Sequence, residues 1–590
     1  MFKLLVKYLK PYALTVLAVF VLVAGQSYLE LMLPDQMAKV VGLIGQGETA
    51  VNKMLGFGGI ALAYAGGALA CAVCVGFLAS RAAYAFGRDV RQAVFKKVQS
   101  FSLPEFDKLG TASLITRTTN DITQIVNVLV MLMRMLISVP VMMGGGIIMA
   151  VHKNAKLTLV LAGSIPALVV LILVVMIGAL PLFTSMQRRI DKLTLVAREG
   201  ITGVRVIRAF NKNDAQAKRF GEANWDVAQN AIKVNRIMAV MMPLVMFIFY
   251  MTTIALYYVA ALNADSLLYL ANLTAVIQYC MRIMMAFMML AMLFIFIPRA
   301  SASSKRVRQV LETEASVKDK ENPARLGDGK KGEGLAFNNV TFYFPGAEEP
   351  SVSDISFSGK KGETVAVIGG TGSGKSTIIN LIERFYDVTS GSITIDGADI
   401  RGIPQKELRD KIGFVPQTSV LFSGTVMENI KFGDPEMSDE QAAEAARIAQ
   451  AADFIEKLPE KYDSYVAQGG TNFSGGQKQR LSMARAIAKK PQIFIFDDSF
   501  SALDFKTDAK LRRALSAITK QSLVLIVAQR ISTIMNADKI LVIEHGRITG
   551  AGTHKELLET CPTYAEIAKS QLKEAGDDAA APKDKKGVTA

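Results

Sequence analysis

The chain has 590 residues, is 51% hydrophobic and carries a formal charge of +15, with a mean hydropathy of +0.29. That length exceeds one domain, and that apolar content excludes an ordinary soluble protein. Of four cysteines, Cys280 and Cys561 stand alone, so no disulfide framework is implied.

At the N-terminus, Lys3, Lys7 and Lys10 precede an apolar run that continues through Glu30 without a small-residue cleavage site. This reads as an amphipathic entry segment and a first membrane span, not a cleavable signal. Six stretches reach the length of about 20 residues that a bilayer core requires. They are 13–33, 57–79, 130–151, 157–183, 238–262 and 267–296. Glu30 lies near the outer end of the first. An ionisable group in hydrocarbon is costly and faces a cavity or a partner, so Glu30 is expected to line a translocation cavity and, lacking a fixed cation, to favour cationic cargo. Cys71 and Cys74, one helical turn apart inside the second span, read as small packing residues.

Connections between spans are short after the third and fifth and long, about 50 residues, after the second and fourth. The long ones are basic: Arg81, Arg88, Arg91, Lys96 and Lys97 in the first, and Arg188, Arg189, Lys192, Arg198, Arg205 and Arg208 in the second. Positive charge stays inside, so these connections and both termini are expected in the cytoplasm. Topology then accounts for the net charge without nucleic acid as a partner. Continued as helix, such connections form hairpins reaching about 30 Å beyond the bilayer. Arg134 and Arg282 are expected to snorkel. Methionines crowd the last two spans, from Met238 to Met251 and from Met281 to Met292. They read either as a pocket that accepts many shapes or as filling between helices.

Charged, glycine-bearing residues 313–333 read as a linker between a membrane domain, 1–312, and a second domain, 334–572. Residues 573–590, rich in Ala, Asp and Lys, read as a disordered tail. In the second domain, GGTGSGKST (369–377) lies between a strand-like run, Glu363 to Ile368, and a helix-like one. Gly369, Gly374, Lys375 and Ser376 have the Walker A spacing: glycines turn backbone N–H groups toward phosphates, the lysine reaches the β and γ oxygens, and the hydroxyl holds Mg²⁺. A second buried strand, Gln492 to Phe496, ends in Asp497 and Asp498, a carboxylate position suited to Mg²⁺. Between them lie Gln417, after IGFVP, and FSGGQ at 473–477. Ser501 to Asp504 follow, and then a strand, Leu523 to Ala528, that ends in Gln529.

These six elements, in this order, resemble the nucleotide-binding domain of ATP-binding cassette (ABC) transporters, and FSGGQ followed by KQRLSMARAI resembles that family's own signature. The resemblance implies a polytopic α-helical membrane domain of six long helices followed by an α/β P-loop ATPase domain of ABC type. It implies ATP and Mg²⁺ as cofactors and amphipathic small molecules as cargo, with a lipid flippase, a peptide exporter or an ATP-gated regulator or channel as alternatives. Phe344 would stack on adenine. Gly370, Thr371, Gly372, Ser373, Gly374, Lys375, Ser376 and Thr377 would hold phosphate, and Ser376, Gln417 and Asp497 would serve Mg²⁺. Ser474, Gly475, Gly476 and Gln477 would complete an ATP site on a second cassette, with Asp504 at the same interface. Gly110–Asp121 and Glu199–Phe210 resemble the family's coupling regions. The implied location is a prokaryotic cytoplasmic membrane, in contact with lipid.

Two positions depart from the family pattern. The family's catalytic Glu is Asp498 here, and its switch His is Gln529. One methylene fewer withdraws the carboxylate by about 1.5 Å, and a misplacement of about 1 Å can cost 10²-fold in rate. Gln529 carries no positive charge with which to meet a γ-phosphate. With Asp498, Gln529 and Gln417 as the catalytic set, the pair of departures resembles the hydrolysis-poor half of a heterodimeric exporter, whose partner would carry the consensus Glu and His.

Overall fold

The computed structural model describes residues 2–44, 48–263, 267–320, 334–501 and 503–580. Most of the expected linker, 321–333, and the tail beyond Ala580 lie outside them. The chain separates into two compact units, one of residues 1–99 and 111–313 and one of residues 100–110 and 314–590.

In the first unit, apolar runs too long for a globular core become six helices with the length and composition to cross a membrane: Lys3–Gly42, Val51–Gln99, Thr111–Lys153, Ala155–Thr202, Asn213–Leu262 and Tyr269–Glu312. The first five each contain one of the predicted spans, the sixth covers all but the first two residues of 267–296, and most extend well past the prediction. Helices in lipid gain little from burying apolar surface, so close packing between small residues holds them together. The third helix carries the clearest case. Pro140 cannot donate to the helical ladder, and residues Val141–Gly145 answer with a widened π-turn. Where it ends, a Cβ on Gly145 would lie 2.6 Å from Leu31 Cδ1, and one on Gly146 would lie 2.8 Å from Ile283 Cγ1. Glycine there lets the first, third and sixth helices touch. At the other end of this helix Asp121, 3% exposed, accepts hydrogen bonds from Ser303 Oγ (2.9 Å) and Arg306 Nε (2.8 Å), tying it to the sixth.

The second unit is built on β1 (Leu335–Phe342), β2 (Val352–Gly359), β3 (Thr364–Gly369), β4 (Ser390–Ile395), β5 (Ala398–Asp399), β6 (Ile412–Val415), β7 (Gly424–Thr425), β8 (Tyr465–Val466), β9 (Ile493–Asp497), β10 (Leu523–Val527), β11 (Lys539–Glu544) and β12 (Arg547–Gly552). One sheet has the order β12-β11-β3-β10-β9-β6, parallel except for β12 at its edge. A four-stranded antiparallel sheet, β2-β1-β4-β5, lies in the same unit. The inner strands of the parallel sheet are covered on both faces, so their middle residues are apolar in succession, as in the fully buried LVLIV of β10. On β3, Val365 and Val367 enter one core while Ala366 and Ile368 enter the other.

Two expectations are corrected here. The segment of the first hairpin that packs with the ATPase unit is Ser100–Gly110, just before the expected Gly110–Asp121. Its helix, Leu103–Leu109, is fixed by a capping box between Ser102 and Glu105. Leu103 packs on the ATPase core, and Tyr386 Oη donates to Asp107 at 2.7 Å. Thr111–Thr118 and Asp121 instead continue the third membrane helix. The second correction is at the C-terminus, where the segment expected to be disordered from 573 is helical as far as Ala580.

Candidate ATP site

Four of the motifs, spread from residue 369 to 529, converge because their strands are neighbours. In the order β3-β10-β9-β6, the C-terminal strand ends carry the Walker A loop, Gln529, Asp497 with Asp498, and Gln417. The crevice beyond the C-terminal ends of parallel strands is where open α/β sheets place ligands.

The loop after β3 needs its glycines. Gly372 (φ +78°) and Gly374 (φ +102°) sit where a side chain is strained, and a Cβ on Gly374 would lie 2.7 Å from Ser351 O. Ser373 N–H closes a turn on Gly370 O (3.3 Å), and Gly374 precedes the helix Lys375–Ile382, whose first N–H groups have no partner within the helix. Thr377 shares a 2.8 Å hydrogen bond with Ser351. Lys375 folds over the loop and donates to Gly369 O (2.9 Å) and Gly370 O (2.7 Å). Burial pushes its ammonium below the usual lysine range, against the pull of Asp497 and Asp498. A cation parked on two carbonyls can exchange them for phosphate oxygens.

Across the sheet, burial raises the Asp497 carboxyl and the neighbouring Asp498 charge adds to it, with Lys375 opposing. Burial also raises Asp498, opposed by a hydrogen bond from Gln417 and by Arg530 and Lys375. That bond, Gln417 Nε2 to Asp498 Oδ2, is 3.4 Å long. Asp498 occupies the left-handed region (φ +45°). Aspartate tolerates that region better than residues with longer side chains. Its own N–H is tied to Val527 O at 2.8 Å.

Among the described residues no three His, Cys, Asp or Glu side chains gather into a metal cage. Mg²⁺ does not ask for one, since it keeps several waters and takes one or two carboxylates plus substrate phosphates. The donor set of Ser376 hydroxyl, Asp497 carboxylate and Gln417 amide fits an ion delivered with its nucleotide.

The remaining expected residues lie on other elements. Phe344 follows β1, 36% exposed, and meets Phe342 and Tyr386 edge-on at 5.0 and 5.4 Å between ring centres. Ser474 caps the helix Gly475–Ala488, and its capping box with Gln477 leaves a solvent-facing helix start suited to an anion. Asp504 caps the helix Phe505–Ile518 through Thr507 N–H at 3.0 Å. Sequence reasoning missed Gln571. Its amide spans the switch segment, donating to Gln529 O and accepting from Ile531 N–H, both at 2.8 Å. A glutamine in the middle of the C-terminal helix Pro562–Ala580 carries no signal of such a clamp.

Residues 13–288 match the family model of the ABC transporter transmembrane region, and residues 352–501 match that of the ABC transporter. An uncharacterized ABC transporter ATP-binding protein of Mycobacterium tuberculosis is 39% identical over 573 residues, covering 96% of this chain and 98% of the relative. A multidrug resistance ABC transporter ATP-binding and permease protein of Lactococcus lactis is 30% identical over 489 residues, 82% of each chain. Among solved structures, a bacterial Atm1-family ABC exporter with ATP bound superposes with a TM-score of 0.79 at 25% identity, covering 95% of this chain and 98% of that one.

Proposed function

The chain belongs to the ABC transporter family and is an exporter half-transporter, and from that premise we propose that it works as one subunit of a heterodimer that moves amphipathic compounds outward across the bacterial cytoplasmic membrane. Half-transporters of this kind dimerise, so each ATP site joins the Walker side of one chain to the signature of the other. In this reading Lys375 and the N–H groups of residues 370–377 bind phosphate, Phe344 stacks on adenine, and Ser376, Gln417 and Asp497 hold the Mg²⁺ that neutralises charge between phosphates. Ser474 to Gln477 complete the partner's site.

The observation that carries the asymmetry is Asp498 and Gln529 at the ends of the adjacent strands β9 and β10. Asp498 is one methylene shorter than the family's base, and its carboxylate is engaged by Gln417. Gln529 offers a neutral amide where the family places an imidazole. A water on the γ-phosphate would therefore meet a retracted base and, at the switch position, a neutral amide in place of an imidazole, and ATP here turns over slowly. The multidrug name of the Lactococcus relative supports amphipathic cargo. The test is nucleotide analysis of the purified complex after turnover, each chain being photolabelled with a radioactive ATP analogue. Uncleaved ATP on this chain and ADP on the partner support the proposal. ADP on both chains refutes it.

A further inference from the structure

Within the membrane unit a cavity of about 450 Å³ opens between the first, third and sixth helices. That volume suits a drug-sized molecule. One part of its wall is methionine: Met142, Met281, Met285 and Met289. These flexible thioethers adapt to an apolar body. The other part is polar, with Gln26 and Gln278 beside one carboxylate, Glu30, and one guanidinium, Arg282.

Arg282 lines this cavity beside Glu30, so Glu30 does not lack a cation and the expectation of a cationic cargo loses its premise. Arg282 Nη1 lies 3.4 Å from Glu30 Oε2, while Gln26 Nε2 donates to Glu30 Oε1 at 2.9 Å. A well-made charged hydrogen bond is about 2.7–2.9 Å, so the ion pair is loose. Among the described residues Arg282 has no other hydrogen-bond partner. A guanidinium has about five donors and a carboxylate about four acceptor positions, so these contacts leave most of this capacity unused on two residues that line the cavity. Packing sets the spacing of the pair. Leu31 and Ile283, the chain neighbours of Glu30 and Arg282, are the residues against which Gly145 and Gly146 close.

We propose that this cavity binds a zwitterionic amphiphile, its anionic group on Arg282, its cationic group on Glu30 and its apolar body on the methionines. The inference rests on reading the chain as an exporter half. A singly charged head group meets one opposite and one like charge here, so attraction and repulsion largely cancel. A neutral one leaves two loosely paired ions desolvated without compensation. Only a head group with both signs replaces the 3.4 Å contact with compensation of both ions, charged hydrogen bonds from Arg282 to its anionic group and an ion pair between its cationic group and Glu30.

The test uses the full transporter in lipid nanodiscs without nucleotide and three probes sharing an octyl chain: octyl-dimethylglycine, octyltrimethylammonium and octanoate. The zwitterion should bind most tightly, by about tenfold. Glu30→Gln should move the preference to octanoate, and Arg282→Gln should move it to octyltrimethylammonium. The exchanged pair, Glu30→Arg with Arg282→Glu, should restore the zwitterion, and it decides the matter together with wild type if a single variant fails to fold. Equal affinity for the three probes, or an order unchanged by both single variants, overturns the proposal. ATP-dependent dye transport is measured separately. Its absence alongside charge-ordered binding would refute the exporter reading, whereas its presence alongside uniform binding would refute the site.

Discussion

At the scale of single residues, the ATP site depends on where two carboxylates end and what they face. Asp498 is short, strained into positive φ and held by Gln417, and Gln529 is neutral. Restoring Asp498→Glu together with Gln529→His should raise hydrolysis at this chain's own site by at least about tenfold. The effects should be non-additive, because both groups serve one transition state. Single-turnover ATPase with the partner's site disabled is the measurement. A different carboxyl, Glu383, is buried in the ATPase unit, where desolvation pushes it up to about 7 despite Arg409 and Lys489 nearby. The folded chain then holds a proton there that the unfolded chain releases near the ordinary value of 4.5. Stability therefore falls as pH rises from about 4.5 to about 7 and is fully reduced above that. Glu383→Gln should flatten this fall, seen as a smaller difference in melting temperature of the ATPase unit between pH ~5 and ~8.

At the scale of elements, glycines decide how closely the membrane helices approach. Gly146→Ala would press a methyl into Ile283, whereas nothing lies within 4 Å of a Cβ on Gly144. Overpacking of this kind costs about 1–3 kcal/mol. Gly146→Ala should therefore lower the melting temperature of the membrane unit, and Gly144→Ala should leave it unchanged. The six spans were legible because hydropathy over about 20 residues is a local property. The ATP motifs were legible because each places its chemistry on a strand end within a few residues. What escaped depends on partners far apart in the chain. The docking helix Leu103–Leu109 is too short for a periodic signal, and its bond to Tyr386 spans 279 positions. Glu30 was picked out by its cost in hydrocarbon, yet the Arg282 that answers it lies 252 positions away. The Gln571 clamp, 42 positions from Gln529, fell at the edge of what composition marked as tail.

At the scale of the whole molecule, one chain joins a Walker side that departs from the family pattern at Asp498 and Gln529 to a signature segment, FSGGQ, that keeps close to it. Residues Ser474 and Gln477 cap the helix Gly475–Ala488, while Asp498 and Gln529 depart from the family pattern. In a heterodimer these two halves of the chain serve different ATP sites, so damage to each should be felt differently. Steady-state ATPase of the purified complex, comparing Ser474→Ala with Lys375→Ala, tests this most directly. The account predicts that Ser474→Ala removes most of the activity, because it disables the partner's working site, while Lys375→Ala removes a smaller share. Equal losses, or brisk ATPase from this chain alone as a homodimer, would contradict it.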